Sequence, residues 1–314
     1  MSPDYQAAIG AAAIFDTSAA GKLVLTGPDA PMFLGNLCTN DIKNLPLGGG
    51  CEAYFCDARA KVQFAAWIDH VMFAGDHAMW VETTPGRGEA LAKYLDRYLI
   101  SERVEIADRS AEFLQFHLAG PGAKIVLEQA LRESLPDLPE FAHLEREFGR
   151  IRRRDLLGVP GFDIVCKERP RLDAVAGSPE TFETLRIEAG TPLVGPDIDE
   201  NRFVMEAGRA ARAVSYAKGC YLGQEPIVMA RDRAGHVNRA FLGMKVLDGG
   251  PLPPGTKLFR DGQEVGVVTS SCHSPRLGVP VALGYLRWKH QDSGLRLESE
   301  SKQAVEVIGL PPVK

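Results

Sequence analysis

A short apolar strand runs into a glycine–proline turn in KLVLTGPDA (Lys22–Ala30), and a helical pattern follows over residues 31–37. The same order of strand, turn and helix recurs in FLQFHLAGPGA (Phe113–Ala123), with helical spacing over residues 124–131. A helix N-terminus after such a turn can bind an anion. The GxxxxGK[ST] run of a phosphate loop is absent, so we interpret both stretches as structural turns. The recurrence predicts two related halves of the chain.

Each half continues in a similar way. After the first turn come three strand patterns and one helical pattern, at residues 54–58, 62–68, 78–84 and 88–99. After the second turn come two strand patterns and one helical pattern, at residues 150–154, 162–167 and 179–188. This order is typical of an antiparallel sheet that carries helices on one face. A repeat of such length indicates duplicated domains and not a solenoid.

Short strands separated by tight turns fill the chain after Gly235, at residues 239–246, 257–260, 263–270, 281–287 and 304–309. Asp261 and Gly262 separate two of them, and Asp-Gly between apolar strands is a strong hairpin signal. This spacing predicts a small, separate β-barrel. The predicted fold class is therefore α+β, with two related antiparallel-sheet and helix domains followed by a C-terminal small β-barrel. We expect domains at residues 1–110, 111–234 and 235–314; the sequence leaves open whether the first two interleave.

Composition and cysteine spacing indicate an ordinary globular protein. The chain has 314 residues, of which 45% are hydrophobic and 25% charged, as is usual for soluble domains. Its start lacks a signal-peptide pattern, and the apolar run at residues 7–14 is too short to span a bilayer. Six cysteines occur without a CxxC pair, which argues against a disulfide framework and against a zinc or iron–sulfur site of CxxC type. We expect a cytoplasmic protein with no membrane partner.

Nucleic-acid binding is an alternative that the charge disfavours. The formal net charge is −5, so the chain as a whole does not attract a polyanion. The densest basic cluster, Arg150 to Arg154, stands beside Glu145 and Glu147, and a solvated, partly neutralised face explains it at least as well as a binding stripe. Small barrels bind single strands through stacking aromatics, and Arg287–His290 contains one tryptophan. We nevertheless expect no direct nucleic-acid binding.

KGCYLGQE (Lys218–Glu225) has the strongest pattern of reactive groups in the chain. The glycines on both sides of Cys220 permit backbone conformations that a Cβ would forbid. A nearby ammonium such as that of Lys218 favours the thiolate, which is the nucleophilic form of cysteine. The alternative is that Cys220 is a small buried hydrophobic residue. The segment lies just before the predicted start of the barrel, and domain junctions often hold pockets.

Several blocks resemble a known superfamily. The segment LRIEAGTP (Leu185–Pro192), continuing through Gly195 and Asp197–Glu200, resembles the glycine-cleavage T-protein superfamily, as do FDTS, TGPDA and LCTND at residues 15–18, 26–30 and 37–41. Within that superfamily, AVSY at residues 213–216, KGCYLGQE and VNR at residues 237–239 resemble the YgfZ family of folate-binding proteins. The resemblance implies that the two α+β domains and the barrel surround a central channel.

The YgfZ resemblance also implies a function. It predicts a folate-binding accessory protein that supports iron–sulfur cluster assembly or repair and, indirectly, tRNA modification. Tetrahydrofolate or a related reduced folate would be the cofactor, and iron–sulfur client or scaffold proteins would be the partners. The alternative is a tetrahydrofolate-dependent aminomethyl- or methyltransferase of T-protein type, which would use the same channel.

Site residues carry over by position from the same resemblance. Glu188 matches the glutamate that holds the pterin end of folate; otherwise it is a helix-end carboxylate. Tyr221, Gln224, Glu225 and Arg231 would also bind the cofactor, and Cys220 with Lys218 would carry the chemistry. Glu89 falls at the catalytic aspartate position of T-proteins, although it is also a candidate for a solvated helix face. No metal ligand is predicted.

Overall fold

The structure, a computed structural model, describes residues 1–313. Its helices are α1 (Pro3–Gly10), α2 (Ala30–Leu37), α3 (Gly88–Asp96), α4 (Ala123–Leu131), α5 (Pro179–Glu188), α6 (Ala210–Ala213) and α7 (Gln224–Met229). Short 3₁₀ helices occur at Val204–Glu206 and Trp288–His290, and a π-helical turn follows α7 at Ala230–Ala234.

The strands are longest where the sequence is most apolar. In chain order they are β1 (Ala13–Asp16), β2 (Ala20–Thr26), β3 (Gly50–Cys56), β4 (Val62–Phe73), β5 (Asp76–Pro85), β6 (Glu105–Asp108), β7 (Leu114–Ala119), β8 (His143–Arg146), β9 (Gly149–Arg153), β10 (Gly161–Cys166), β11 (Val175–Ala176), β12 (Arg239–Val246), β13 (Lys257–Arg260), β14 (Gln263–Ser274), β15 (Val279–Arg287), β16 (Arg296–Ser299) and β17 (Ala304–Val307).

The strands form two open sheets and one barrel. The first sheet has the order β3-β4-β5-β2-β6, and α2 and α3 cover one of its faces. The second has the order β11-β1-β7-β10-β9-β8, with α4 on one face. Strand β1 precedes the first sheet in the chain but pairs with β7 and β11 in the second. Strands β12 to β17 close the barrel. The predicted α+β class with a C-terminal barrel is confirmed.

Glycine is required at both strand-to-helix turns. Gly27 has a φ of +104° and Gly120 a φ of +132°, a region that side chains with a Cβ rarely adopt. A Cβ at Gly27 would also collide with the carbonyl oxygen of Arg103, and one at Gly120 with that of Ala11. The positive φ angles and the close backbone contacts together explain why both turns contain glycine.

A layer of charged side chains joins the two sheets. Because side chains alternate along a strand, β9 directs Ile151 into the apolar core under α4, and Arg150 and Arg152 towards the first sheet. Arg152 is 1% exposed and donates to Asp69 at 3.1 Å, to Glu82 and to Asp163 at 2.5 Å. The sequence interpretation of Arg150–Arg154 as a solvated face is therefore wrong. Two of the three carboxylates, Asp69 and Glu82, come from the first sheet and are far from Arg152 in the sequence.

The barrel packs against α5. Ile187 on this helix contacts an apolar cluster that includes Phe241, Leu283 and Tyr285 of the barrel. The other side of the helix faces the second sheet, where Leu185 packs with Phe15. Helix α5 thus lies between the α+β body and the barrel. No helix in residues 1–313 has both the length and the apolar character that crossing a bilayer requires.

Candidate active site

A cavity of about 890 Å³ opens between the two sheets. Its walls come from β4 and β5 of the first sheet, from β7 and β10 of the second, from the N-terminal half of α5 and from the loop at residues 192–201. Cavities of roughly 300–1,000 Å³ with mostly apolar walls and a few polar groups are typical of small-molecule sites. This cavity is therefore the candidate active site.

The floor of the cavity is the edge of the charged layer. Arg154 donates through Nη1 to Glu82 and to Asp163, at 2.9 Å in each case, and its guanidinium carbon lies 3.9 Å from the centre of the Trp67 ring. Burial alone would raise the pKa values of Glu82 and Asp163, but Arg152 and Arg154 outweigh it and lower both. Both carboxyl groups are therefore ionised at neutral pH and held in fixed positions.

Aromatic rings and additional carboxylates complete the wall. Phe15 and Phe182 meet edge to face with 5.6 Å between ring centres, and Trp67 lies beside the charged floor. Among the lining carboxylates, Asp16 and Glu200 form no ion pair within 4.0 Å in the described part of the chain. A flat apolar molecule with a polar edge and a cationic substituent would match these walls.

Glu188 does not line this cavity. It is 2% exposed and accepts hydrogen bonds from Tyr5 at 2.7 Å and from Ser274 at 2.5 Å, and Arg276 lies 3.7 Å away. The reason is helical geometry. Glu188 follows the lining residue Glu183 by five positions, which rotates it about 140° around α5. It therefore faces the junction between α1 and the barrel, where its contacts join α5 to both.

Lys218 is anchored to backbone and does not activate the neighbouring thiol by contact. Its Nζ donates to the carbonyl oxygens of Gly35 at 2.5 Å, of Cys38 at 2.7 Å and of Asn40 at 2.7 Å. Burial lowers the pKa of Lys218. Cys220 itself is exposed. Of the described residues that line the cavity, none belongs to Lys218–Glu225, so the structure does not bring this segment to the candidate site.

The remaining predicted site residues also lie elsewhere. Tyr221 packs in an apolar cluster beneath β3, and Gln224 and Glu225 begin α7. Arg231 pairs with its neighbour Asp232 and stacks on Tyr216. Glu89 lies on the exposed side of α3, where it pairs with Lys93 at 2.6 Å. Among residues 1–313, none of these five predicted site residues lines the cavity.

Cys220 is exposed, whereas the other five cysteines are buried or partly buried. Burial raises the pKa of Cys38 and Cys51, and it raises those of Cys56 and Cys272 to about 12 and that of Cys166 to about 11. We expect a colorimetric disulfide reagent at pH 8 to modify one thiol rapidly in the native protein and all six after unfolding. Cys220→Ser should remove the rapid phase. A rapid phase that persists in this variant would show that another cysteine is accessible.

Sequence reasoning missed the residues that line the cavity floor. Arg154 and Asp163 lie more than 30 residues after the second glycine–proline turn, and Glu82 lies in the first half of the chain. Glu82 is therefore far from the other two residues in the sequence. The alternation of Arg150, Arg152 and Arg154 is the one local signal, because arginine at every second position of a strand places three charges on one face. Buried carboxylates facing them would then be expected.

Comparison with known proteins identifies the family. The GCVT N-terminal domain matches residues 2–162, and the glycine cleavage T-protein C-terminal barrel domain matches residues 239–314. Curated aminomethyltransferases of Synechocystis sp. and Rubrobacter xylanophilus are each 27% identical to the chain. The alignments cover 96% and 98% of this chain, and 84% and 85% of the relatives. The crystal structure of the glycine cleavage system aminomethyltransferase T from Bartonella henselae superposes with a TM-score of 0.87 at 22% identity, covering 99% of this chain and 88% of that one.

These relatives correct the predicted function. Proteins similar to the chain over nearly its whole length are named aminomethyltransferase, so the predicted accessory role in iron–sulfur cluster assembly is wrong, and the predicted iron–sulfur partners and tRNA connection have no support. The superfamily resemblance is confirmed, whereas the narrower YgfZ assignment is not. By domain match and by fold, the chain belongs to the glycine cleavage T-protein family.

Proposed function

We propose that this protein is a tetrahydrofolate-dependent aminomethyltransferase whose active site is the cavity between the two sheets. The observation that carries the proposal is a cavity of about 890 Å³ between the two sheets of a chain that resembles aminomethyltransferases along nearly its whole length. Tetrahydrofolate, when bound, would supply the nitrogen atoms that accept the one-carbon unit.

The cavity fits a reduced folate in size and in surface. Phe15, Trp67 and Phe182 offer ring faces and edges for a flat heterocycle, and such contacts favour aromatic ligands. The wall also contains buried polar atoms that have no partner in the described chain, including Thr84 Oγ1 and Gln115 Oε1. Buried polar groups are normally hydrogen-bonded, so these atoms are suited to a ligand with polar edges.

The charged floor would hold the ligand in place and keep its surroundings rigid. Glu82 and Asp163 are fixed by Arg154, and Trp67 stacks on the same guanidinium group. Fixed charges next to a reacting centre stabilise developing charge without reorganisation. Because the floor lies deep between two sheets, bound ligand would also exclude water from it.

Asp16 is the carboxylate that we assign to the amine donor. It lines the cavity at the end of β1, and its Oδ1 accepts the N–H of Ser18 at 2.9 Å. Within residues 1–313, Oδ2 has no hydrogen bond or ion pair, so it is suited to attract a cationic amine and to accept a proton from it. A positioned acid or base contributes about 100-fold or more to rate. Glu89, the position expected from sequence, pairs with Lys93 on the surface instead.

Turnover measurements test this assignment. Purified protein is mixed with tetrahydrofolate and an S-aminomethyl thiol, and ammonia release is measured against a reaction without tetrahydrofolate. We expect tetrahydrofolate-dependent release by the wild type and a loss of about 100-fold in kcat/KM for Asp16→Asn. Asp76→Asn, at the exposed first position of β5, is the matched control and should retain full activity.

Two results would contradict the proposal in different ways. Absence of tetrahydrofolate-dependent ammonia release by the wild type would remove the transferase function. Full activity in Asp16→Asn together with loss in Glu89→Gln would keep the function but move the chemistry to α3, as the position in the sequence suggested.

A further inference from the structure

Three polar side chains line the same cavity, and we refer to Thr17, Thr84 and Gln115 as the polar corner. Each lines the cavity. In each, a side-chain oxygen is buried and makes no hydrogen bond within residues 1–313. Gln115 is 1% exposed and Thr84 is 8% exposed. These three oxygen atoms in the wall of one cavity call for partners, because proteins leave few buried polar groups unpaired.

Strand alternation fixes the direction of Gln115. Its neighbour Phe116 packs in the core beneath α4, whereas His117 faces the other way and contacts Asp163 of the charged layer. Gln115 therefore shares the cavity-facing side of β7 with His117. Its backbone is already fully used, because its N–H donates to Ser18 Oγ at 2.9 Å and its carbonyl accepts the N–H of Thr17 at 2.9 Å.

Backbone bonds hold the polar corner together. Thr84 lies two positions after Glu82 on β5, so both side chains face the second sheet. Just beyond it, the N–H of Gly86 donates to the carbonyl of Ala19 at 3.2 Å, which ties this end of β5 to the turn that contains Thr17. Lys22 Nζ donates to the carbonyls of Ser18 and Ala20, each at 2.8 Å, and fixes that turn from below.

The chemistry of the polar corner indicates what it binds. An amide presents an acceptor and a donor side by side, and a hydroxyl can do either. The complement of a side-chain amide is a cyclic amide, whose N–H meets the Gln115 oxygen while its carbonyl meets the Gln115 NH₂. We propose that Gln115, assisted by Thr84 and Thr17, recognises the lactam edge of the pteridine ring. This inference rests on the proposed function, because it takes a reduced folate as the ligand of the cavity.

Affinities for a ligand with the pteridine ring and for one without it test whether Gln115 recognises the ring. Calorimetric titration uses 5-formyltetrahydrofolate, which has the pteridine lactam, and p-aminobenzoylglutamate, which lacks the ring. Gln115→Leu should weaken binding of 5-formyltetrahydrofolate about tenfold or more. The affinity of Gln115→Leu for p-aminobenzoylglutamate should stay within about twofold of the wild-type value. A general distortion of the cavity would instead weaken the binding of both ligands. Gln291→Leu, which changes an amide in the barrel that donates to Leu286, is the control.

Thr84→Val gives a second, isosteric variant in case Gln115→Leu does not fold. It should show the same selective loss for the pteridine-containing ligand, by about fivefold. Wild-type protein that binds neither ligand would overturn the proposed function itself. Wild-type protein that binds 5-formyltetrahydrofolate, with equal affinity in either folded variant, would overturn the role of the polar corner and leave the proposed function intact.

Discussion

Arg152→Met is expected to reduce the free energy of unfolding by about 3–5 kcal/mol, because it leaves three buried carboxylates without their shared partner. The guanidinium group donates to Asp69, Glu82 and Asp163 between the two sheets. Methionine keeps much of the volume but none of the charge. The remaining cations, Arg150 and Arg154, sit at the edges of the layer and cannot take over all three contacts.

Urea unfolding followed by circular dichroism measures this effect. Arg153→Met is the matched control on the same strand, since its side chain points to the opposite face and pairs with the half-exposed Asp155 at 2.9 Å. That substitution should cost about 1 kcal/mol or less. Equal losses in the two variants would mean that the layer between the sheets is hydrated and that Arg152 is not its centre.

At acidic pH, the difference in the free energy of unfolding between wild type and Arg152→Met should become smaller. The arginines hold the pKa values of Glu82 and Asp163 below their ordinary range despite burial. Their stabilising contribution is therefore complete above the unfolded-state pKa values of about 4 and is lost as the pH falls through the lower folded-state values. In Arg152→Met we expect the pKa values of Glu82 and Asp163 to rise. As the pH falls, the two carboxylates therefore become neutral in the variant before they do so in the wild type, and the cost of burying them unpaired disappears. Denaturation midpoints at pH 7 and pH 4 test this.

The sequence predicted the elements that bury apolar residues at a regular period. The bounds of α5, β12 and β13 match the predicted ranges, since Ser178 caps the helix and glycine turns separate the barrel strands. Four-residue strands such as β6, β8 and β16 were missed. They carry charged residues and form few pairs, so neither alternation nor apolar content marks them. These strands are recognised only from their hydrogen-bonded pairing with a neighbouring strand in the structure.

The candidate site was harder to predict because its residues come from distant parts of the chain. Asp16, Glu82, Gln115 and Asp163 meet only after the two sheets face each other. KGCYLGQE is compact and therefore conspicuous, but the sequence cannot say that the Lys218 ammonium turns away to three backbone carbonyls. Spacing within a short segment indicates which groups are neighbours in the sequence. The residues that line a cavity between two sheets are far apart in the sequence, so such spacing does not identify them.

Glu188→Ala is expected to destabilise the protein by about 3 kcal/mol without weakening the binding of a reduced folate. The substitution leaves the hydroxyl groups of Tyr5 and Ser274 without their acceptor and removes the carboxylate that faces Arg276. Hydrogen bonds to a charged group contribute about 1.5–3 kcal/mol each. Because Glu188 connects α1, α5 and the barrel, the whole loss should appear as a lower free energy of unfolding.

Binding by the folded variant separates this structural role from the one expected by family position. At a temperature where Glu188→Ala remains folded, its affinity for 5-formyltetrahydrofolate should stay within about twofold of the wild-type value, because the cavity lies on the other side of α5. Glu180→Ala, an exposed carboxylate in the first turn of the same helix, should change stability by less than about 0.5 kcal/mol. If Glu188→Ala instead binds more than tenfold more weakly with unchanged stability, Glu188 contacts the pteridine ring and the ligand must reach the barrel side of α5.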